Sequence, residues 1–341
     1  MVPENDYRNK ILKFASKFIR VNLQEINFIS VEENANSNIL NQATVHCFSA
    51  LMNNERFINK RLEQINATLC IGNVLVGYFE TYTSRRARFA RYRIPVLRLL
   101  FMAFDFVFHR AMPKMNGTKQ LYFFLTKGKN RLLSKAEMLG RIVCCGYEII
   151  GNEKIEGLDY FIAKKVKEPA FDMEPSYGPV FSMNRLGYRG EIIKVYKFRT
   201  MHPYSEYLHD YILKKYGYAQ SGKPANDFRL TPWGKLFRKY WIDELPQLFN
   251  ILKGEMKLVG VRPVSQRYFQ DIPEDLQKLR NRQKPGCIPP YVALNVSSDV
   301  ESVQNAERIY LIEKLKRPYT TDLRYFFKAL FSIIVRQKRS A

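Results

Sequence analysis

The sequence predicts a two-domain α/β protein, and three observations carry that expectation. At 341 residues the chain is longer than one hydrophobic core usually organises, and 46% hydrophobic content is enough for proper cores. Short apolar runs of strand type alternate with longer stretches of helical periodicity. A proline-bounded stretch, Pro169 to Pro175, is the expected linker, which divides the chain into domains 1–168 and 169–341.

In the first domain Thr44 to Phe48 and Val74 to Phe79 are predicted strands, with a helix from Asn54 to Ala67 between them. Ile94 to Phe108 is mostly apolar yet too short to cross a bilayer. Arg98, Asp105 and His109 fall on one helical face, apart from Leu97, Leu100, Phe101, Phe104 and Phe108, so the segment is predicted as an amphipathic helix of the core or of an interface. His109 is read there as a polar-face residue and not a ligand. Leu121 to Leu125 is a candidate strand, followed by a helix from Ser134 to Cys144 and a hairpin of Tyr147 to Ile150 with Tyr160 to Ala163.

This order is loosely similar to the second half of a class I methyltransferase, with Leu133-Ser134-Lys135-Ala136-Glu137 and Gly146-Tyr147-Glu148 in the matching places. A methyltransferase needs a glycine-rich first βα turn for its nucleoside cofactor. Residues 1 to 43 contain no glycine, so the first domain is expected to be a degenerate methyltransferase-like α/β scaffold that docks or regulates.

The second domain holds the most informative stretch, residues 241 to 263, WIDELPQLFNILKGEMKLVGVRP. Asp243 fits an N-cap and Pro246 lies in the first turn of a helix whose Leu245, Leu248, Phe249 and Leu252 recur at helical spacing. Gly254 ends it before the strand-like Lys257-Leu258-Val259-Gly260. A helix start favours ionised carboxylates, so Asp243 is expected to be available as nucleophile or metal ligand. Taken alone, an Asp-Glu pair here is most simply a cap. The stretch, however, closely resembles the catalytic core of the bacterial sugar transferases, the polyprenyl-phosphate glycosylphosphotransferases, whose hallmark is DELPQL-N-lKG-M-lVGPRP.

Other blocks follow in that family's order. Gly178-Pro179-Val180-Phe181 with Arg185, Gly187 and Gly190, then Val195-Tyr196-Lys197-Phe198-Arg199-Thr200-Met201, resemble two of its signatures. Asp227, Arg229, Thr231, Gly234 and Arg238 match the approach to the carboxylates, and Lys284-Pro285-Gly286 matches its KPG. The resemblance implies an α+β catalytic domain that moves a sugar-1-phosphate from a nucleotide diphosphate sugar to undecaprenyl phosphate. In it Asp243 is the nucleophile that forms an aspartyl phosphosugar, Glu244 a Mg²⁺ ligand or acid-base group beside Asp243, and Arg262 with Pro263 a phosphate contact. Pyrophosphate chemistry calls for fixed cations and a divalent metal, roles that Lys197, Arg199, Arg238 and Arg262 can fill.

The chain departs from the family pattern in three places. Val261-Arg262-Pro263 stands where the family has proline-arginine-proline, and Cys287-Ile288-Pro289-Pro290 replaces the usual threonine-glycine. The re-entrant apolar helix that the family places before its GPvf segment is missing: the chain has Lys164-Lys165-Val166-Lys167-Glu168-Pro169 instead. A non-catalytic nucleotide-sugar-binding or scaffold protein of a polysaccharide assembly pathway is therefore the competing expectation.

A net charge of +23 calls for an anionic partner. No nucleic-acid-binding signature accompanies it, so nucleotide and an anionic membrane surface are expected and nucleic acid is not. Asp322 to Arg336 predicts a second amphipathic helix, with Leu323, Phe326, Phe327, Leu330, Ile333 and Ile334 on one face and Arg324, Lys328, Arg336, Lys338 and Arg339 supplying charge. The expected place is the cytoplasmic face of a bacterial inner membrane, held peripherally or monotopically. Cys47, Cys70, Cys144, Cys145 and Cys287 lack metal-type spacing and are expected to be reduced, buried thiols, and no signal peptide opens the sequence.

Overall fold

The first sheet is built from the apolar runs of the N-terminal half. In this computed structural model, which describes residues 4–20, 26–29, 43–90, 93–115, 117–171, 177–217 and 224–336, Ile26–Ile29 (β1), Val45–Phe48 (β2) and Val74–Phe79 (β3) pair in parallel. β2 and β3 are buried along their whole length, which explains the continuous apolar run of β3; the one polar side chain of β2, His46, has its Nε2 3.0 Å from the Ala43 carbonyl oxygen. The hairpin of Tyr147–Ile155 (β4) and Leu158–Lys165 (β5) adds two strands antiparallel to each other, giving the order β1-β2-β3-β5-β4. Helices Ile58–Thr68 and Lys135–Cys144 cover one face through Leu62, Ile65, Leu139 and Ile142. Ser134 caps the second of them, accepting a hydrogen bond from the Glu137 amide.

The described residues form two compact units that are not continuous in sequence. One comprises Met1–Tyr177 with Met201–Arg229, the other Gly178–Thr200 with Leu230–Ala341. This division differs from the linear one at 168/169, because Leu208 and Ile212 join the core beneath the first sheet. Residues 172–175 of the expected linker lie outside the described residues.

One element of the first unit corrects the expectation from sequence, and a second narrows its alternatives. Leu121 to Leu125 is not a strand but lies in a helix, Thr118–Thr126, bounded by Gly117 at φ +94° and a left-handed Lys127. Five consecutive apolar residues carry no period, and here only Tyr122 is buried while Leu121, Phe124 and Leu125 are exposed. The helix Pro95–Phe106 forms where expected, and of the two places left open for its apolar face, core or interface, it does not take the core. No residue of it is buried, and Leu99, Leu100 and Phe104 are 65%, 59% and 64% exposed. Its ionic face meets the protein: Asp105 accepts from buried Arg85 at 3.3 Å, and His109 Nδ1 lies 3.2 Å from the Tyr122 hydroxyl. Cys70 also departs from the expected buried set, being exposed, and Cys287 is only half-buried.

In the second unit Val180–Leu186 (β6) and Ile192–Phe198 (β7) form an antiparallel hairpin, while Lys257–Val259 (β8) and Gly286–Ile288 (β9) pair in parallel. Helices Val300–Lys316 and Thr321–Ile334 pack on the second pair through Tyr310, Tyr325 and Ala329. The terminal helix is thus half core: Tyr325, Ala329 and Ser332 are buried, while Leu323, Phe327, Leu330 and Ile334 are exposed. Lys338 and Arg339 lie outside the described residues. Among those described, no helix is long and apolar enough to cross a membrane.

The glycine of the KPG block has a packing reason. A Cβ on Gly286 would lie 2.1 Å from the Gly260 nitrogen, because the two backbones touch. Gly286→Ala should therefore destabilise the second unit by ~3 kcal/mol, as overpacking against rigid backbone does, visible as an earlier denaturant midpoint.

Candidate active site

The segment Ile242–Gln247 is a single stretch of 3₁₀ helix that continues into the helix Leu248–Leu252. Helix Pro232–Lys239 leads to it, capped by Thr231, whose hydroxyl accepts from the Gly234 amide at 2.9 Å. Trp241 then takes a left-handed conformation at φ +61°, which turns the chain sharply and makes Trp241, not Asp243, the capping position. Asp243 and Glu244 consequently sit inside the first turn, both buried. The expected N-cap role of Asp243 is corrected accordingly.

Packing of this helix is also unlike the expectation. Leu245, Leu248, Phe249 and Leu252 are exposed, so the apolar stripe does not hold the helix down. Asn250 does. Fully buried, it donates to the Lys194 carbonyl at 2.7 Å and accepts from the Tyr196 amide at 3.2 Å, completing hydrogen bonds along β7. This anchor sets Glu244 opposite Lys197, the next inward position of that strand. Asn250 was legible only as a fixed letter of the resembled hallmark.

Glu244 is the hub. Its Oε1 accepts from Lys197 Nζ at 2.7 Å and from Arg262 at 2.6 Å, and its Oε2 accepts from Gln247. Arg262 reaches on to the Tyr291 hydroxyl at 3.4 Å. Asp243 beside it has a buried Oδ1 with no hydrogen-bond partner among the described residues. Arg238 Nε donates to Thr200 Oγ1 at 3.1 Å, and its charge acts on Asp243. Arg199 turns elsewhere: its Nε donates to the Gly178 carbonyl at 3.0 Å and its guanidinium lies over Phe181. The structure thus brings Asp243, Glu244, Lys197 and Arg262 together with Arg238 near, and gives Arg199 a second address.

Burial first, and then the neighbouring Glu244, raise the Asp243 pKa above its ordinary 3.8, against Lys197 and Arg238. The direction is opposite to that expected from a helix start, because desolvation outweighs the short helix. A raised pKa keeps the proton to higher pH, so loss of a reaction that needs the carboxylate should begin, as pH falls, above the value of a free aspartate. A kcat/KM profile against pH checks this acid limb.

A cavity of about 270 Å³ opens beside the carboxylates, lined by Lys197, Arg262, Gln247 and Pro263 together with Arg185 and Tyr268. Burial, and then the nearby Arg262, lower the Arg185 pKa. Tyr268 was not singled out from sequence, and Arg185 only as a letter of the block that follows Gly178-Pro179, with no role given to it. Three guanidinium or ammonium groups around one concave site suit a diphosphate.

The donors available to a metal are hard oxygens. No group of three His, Cys, Asp or Glu residues that could hold a metal exists among the described residues. Mg²⁺ needs none: it is usually held by one or two carboxylates plus substrate phosphates and water. The orphaned Asp243 Oδ1 fits such an ion, whereas Glu244 would join it only by loosening Lys197 or Arg262.

Comparison with known proteins agrees on the second half of the chain. Residues 170–336 match the family model of the bacterial sugar transferases. The chain is 41% identical over 111 residues to a galactosyl transferase, CpsE, of Streptococcus agalactiae serotype III, covering 32% of this chain and 24% of that protein. It is 46% identical over 99 residues to the UDP-N-acetylgalactosamine-undecaprenyl-phosphate N-acetylgalactosaminephosphotransferase of Aeromonas hydrophila, covering 28% and 20%. A longer match, 29% identical over 195 residues, covers 53% of this chain and 35% of the UDP-glucose:undecaprenyl-phosphate glucose-1-phosphate transferase of Escherichia coli K12. The matches therefore span well under half the length of these relatives.

Proposed function

We propose that this chain, whose residues 170–336 match the family model of the bacterial sugar transferases, moves a sugar-1-phosphate from a nucleotide diphosphate sugar to undecaprenyl phosphate. The observation that carries the reading is a buried aspartate with an unpartnered oxygen, Asp243, beside a carboxylate that holds Lys197 and Arg262 at a cationic cavity. Asp243 Oδ1 attacks the phosphorus next to the sugar. The bond to the second phosphate breaks and nucleoside monophosphate leaves with the electron pair, its charge met by Lys197, Arg262 and Arg185. A phosphate oxygen of the polyprenyl acceptor then attacks the aspartyl phosphosugar, forms the diphosphate link and frees the carboxylate. Mg²⁺ would neutralise phosphate charge, held by the Asp243 carboxylate before it attacks and by Glu244 once Lys197 or Arg262 loosens. Such a reaction starts surface polysaccharide or glycoconjugate synthesis.

The acceptor is a membrane lipid, and support for a membrane partner comes from apolar side chains turned outward. In the second unit Trp233, Leu236, Tyr240, Leu245, Phe249 and Leu252 are exposed on the segments that lead to and from the carboxylates, with Lys235, Lys239 and Lys253 among them. In the first unit Pro95–Phe106 presents its apolar face outward beside exposed Arg86, Arg88 and Arg93. Basic residues flanking apolar faces suit an anionic leaflet, here the cytoplasmic one of a bacterial inner membrane.

The test is release of nucleoside monophosphate from a panel of nucleotide sugars with undecaprenyl phosphate, Mg²⁺ and the full chain in vesicles. One sugar should support turnover; no release from any of them, with the protein folded, leaves the non-catalytic alternative. Glu244→Gln should raise the Mg²⁺ concentration needed for half-maximal rate, since an amide is a poor ligand for a hard cation. An unchanged metal dependence with a higher KM for the nucleotide sugar would instead confine Glu244 to holding Lys197 and Arg262.

A further inference from the structure

The first unit contains a second cationic cavity, of about 430 Å³, that the proposed reaction does not use. Five cations line it, Arg56, Lys60, Lys114, Arg131 and Arg141, against two carboxylates, Glu63 and Glu137. Glu137 is already spent. It is 1% exposed and accepts from Arg110, from Lys114 at 2.6 Å and from Arg141 at 3.0 Å. One carboxylate cannot neutralise three cations, and a fourth, Arg131, acts on Arg141 through space.

The surplus is only partly met inside the protein: Glu55 also acts on Arg131, whose guanidinium donates to the Glu55 carbonyl. Arg131 Nε and Arg141 Nε are buried donors with no hydrogen-bond partner among the described residues. An unpaired guanidinium N–H in a buried site is costly, and the outer nitrogens of both groups carry the same uncompensated charge to the cavity that they line. Burial and then Arg110 also lower the Lys114 ammonium to about 7 despite Glu137. Glu137 and Arg141 are the other charged groups acting on it, while neighbouring His202 is held neutral by burial. The walls are already rigid. Arg141 NH1 donates to Asn59 at 2.6 Å and its guanidinium lies 4.5 Å from the Tyr204 ring centroid; Asn59 in turn donates to the Tyr204 hydroxyl at 2.9 Å. At the mouth Arg56 lies over Phe57 and Phe123.

We propose that this cavity binds a small phosphate-bearing anion, with the phosphate directed to Arg131, Arg141 and Lys114 and the rest of the molecule towards Arg56 and Phe57. A phosphate presents several charged acceptor oxygens at once, which suits converging guanidinium donors better than one carboxylate does. The inference is independent of the transferase reading, because every residue in it belongs to the first unit.

Calorimetric titration of the full chain at constant ionic strength tests it, with inorganic pyrophosphate in one arm and a nucleoside monophosphate in the other. Both are run in the Arg262→Gln background, which weakens anion binding at the candidate active site. Saturable binding is expected, weakened roughly tenfold or more by Arg131→Gln, since a charge-assisted hydrogen bond is lost. Should Arg131→Gln fold poorly, the surface pair Arg56→Gln with Lys60→Gln should still weaken binding. Tighter binding of the nucleotide assigns the mouth to a base or sugar, and equal binding assigns recognition to the phosphate alone; either supports the site. No saturable binding of either probe, or binding that ignores both sets of cavity variants, overturns it.

Discussion

Asp243→Asn should lower turnover by ~10⁴-fold or more, the scale seen when a covalent nucleophile is removed, without lowering the thermal midpoint. The two halves of this expectation have separate causes. An amide cannot form the aspartyl phosphosugar, so the chemical step fails whatever the binding. Stability is spared because the carboxylate is disfavoured where it stands: burial and Glu244 both work against its charge, and Oδ1 makes no hydrogen bond that the amide would lose. Nucleoside monophosphate release and a melting curve on the same preparation check both. Normal turnover by a well-folded variant would remove Asp243 from the nucleophile role, and a collapsed midpoint would make the site structural.

The second large effect concerns the membrane. Leu100→Asp with Phe104→Asp should release the protein from vesicles of anionic phospholipid, weakening partition by ~100-fold or more. Each apolar side chain of that size contributes ~1.5–3 kcal/mol when withdrawn from water, so two supply at least ~3 kcal/mol. The fold should tolerate the change because both residues are exposed and face away from Asp105 and His109. Salt should release part of the wild-type protein by screening the basic residues, and the two effects should add. Sedimentation with vesicles measures them; unchanged partition of the double variant would exclude this helix from the interface. Deleting the terminal helix is a poorer test, since Tyr325 and Ala329 belong to the core and Asp322 accepts from the Tyr310 hydroxyl at 2.7 Å.

These two sites show what sequence can and cannot carry. Strands β2 and β3 were legible because buried runs need no context, and the helix Lys135–Cys144 because Ser134 and Glu137 mark its start. The carboxylate pair was legible through its neighbours in sequence, which the resembled family shares. Orientation was not. Periodicity separates two faces of Pro95–Phe106 but does not say which is outside, and the answer depended on Arg85, twenty residues from Asp105 in the chain. The direction of the Asp243 shift was hidden for a related reason: helix geometry is local, whereas desolvation is set by everything packed around the residue. Leu121 to Leu125 failed because a short apolar run fits either period.

The excursion Met201–Arg229 bears on how such a protein can be taken apart and recombined. A segment inside the matched transferase region gives Leu208 and Ile212 to the core under the first sheet, and a Cβ on Gly140 would fall 2.2 Å from the Tyr204 carbonyl oxygen. An excised piece covering 170–336 would carry those side chains into water without their partners. A chimera that joined another N-terminal half at residue 169 would inherit a loop shaped for a surface it no longer has. The two halves are therefore heritable only as a pair, unless Met201–Arg229 is exchanged along with residues 1–177.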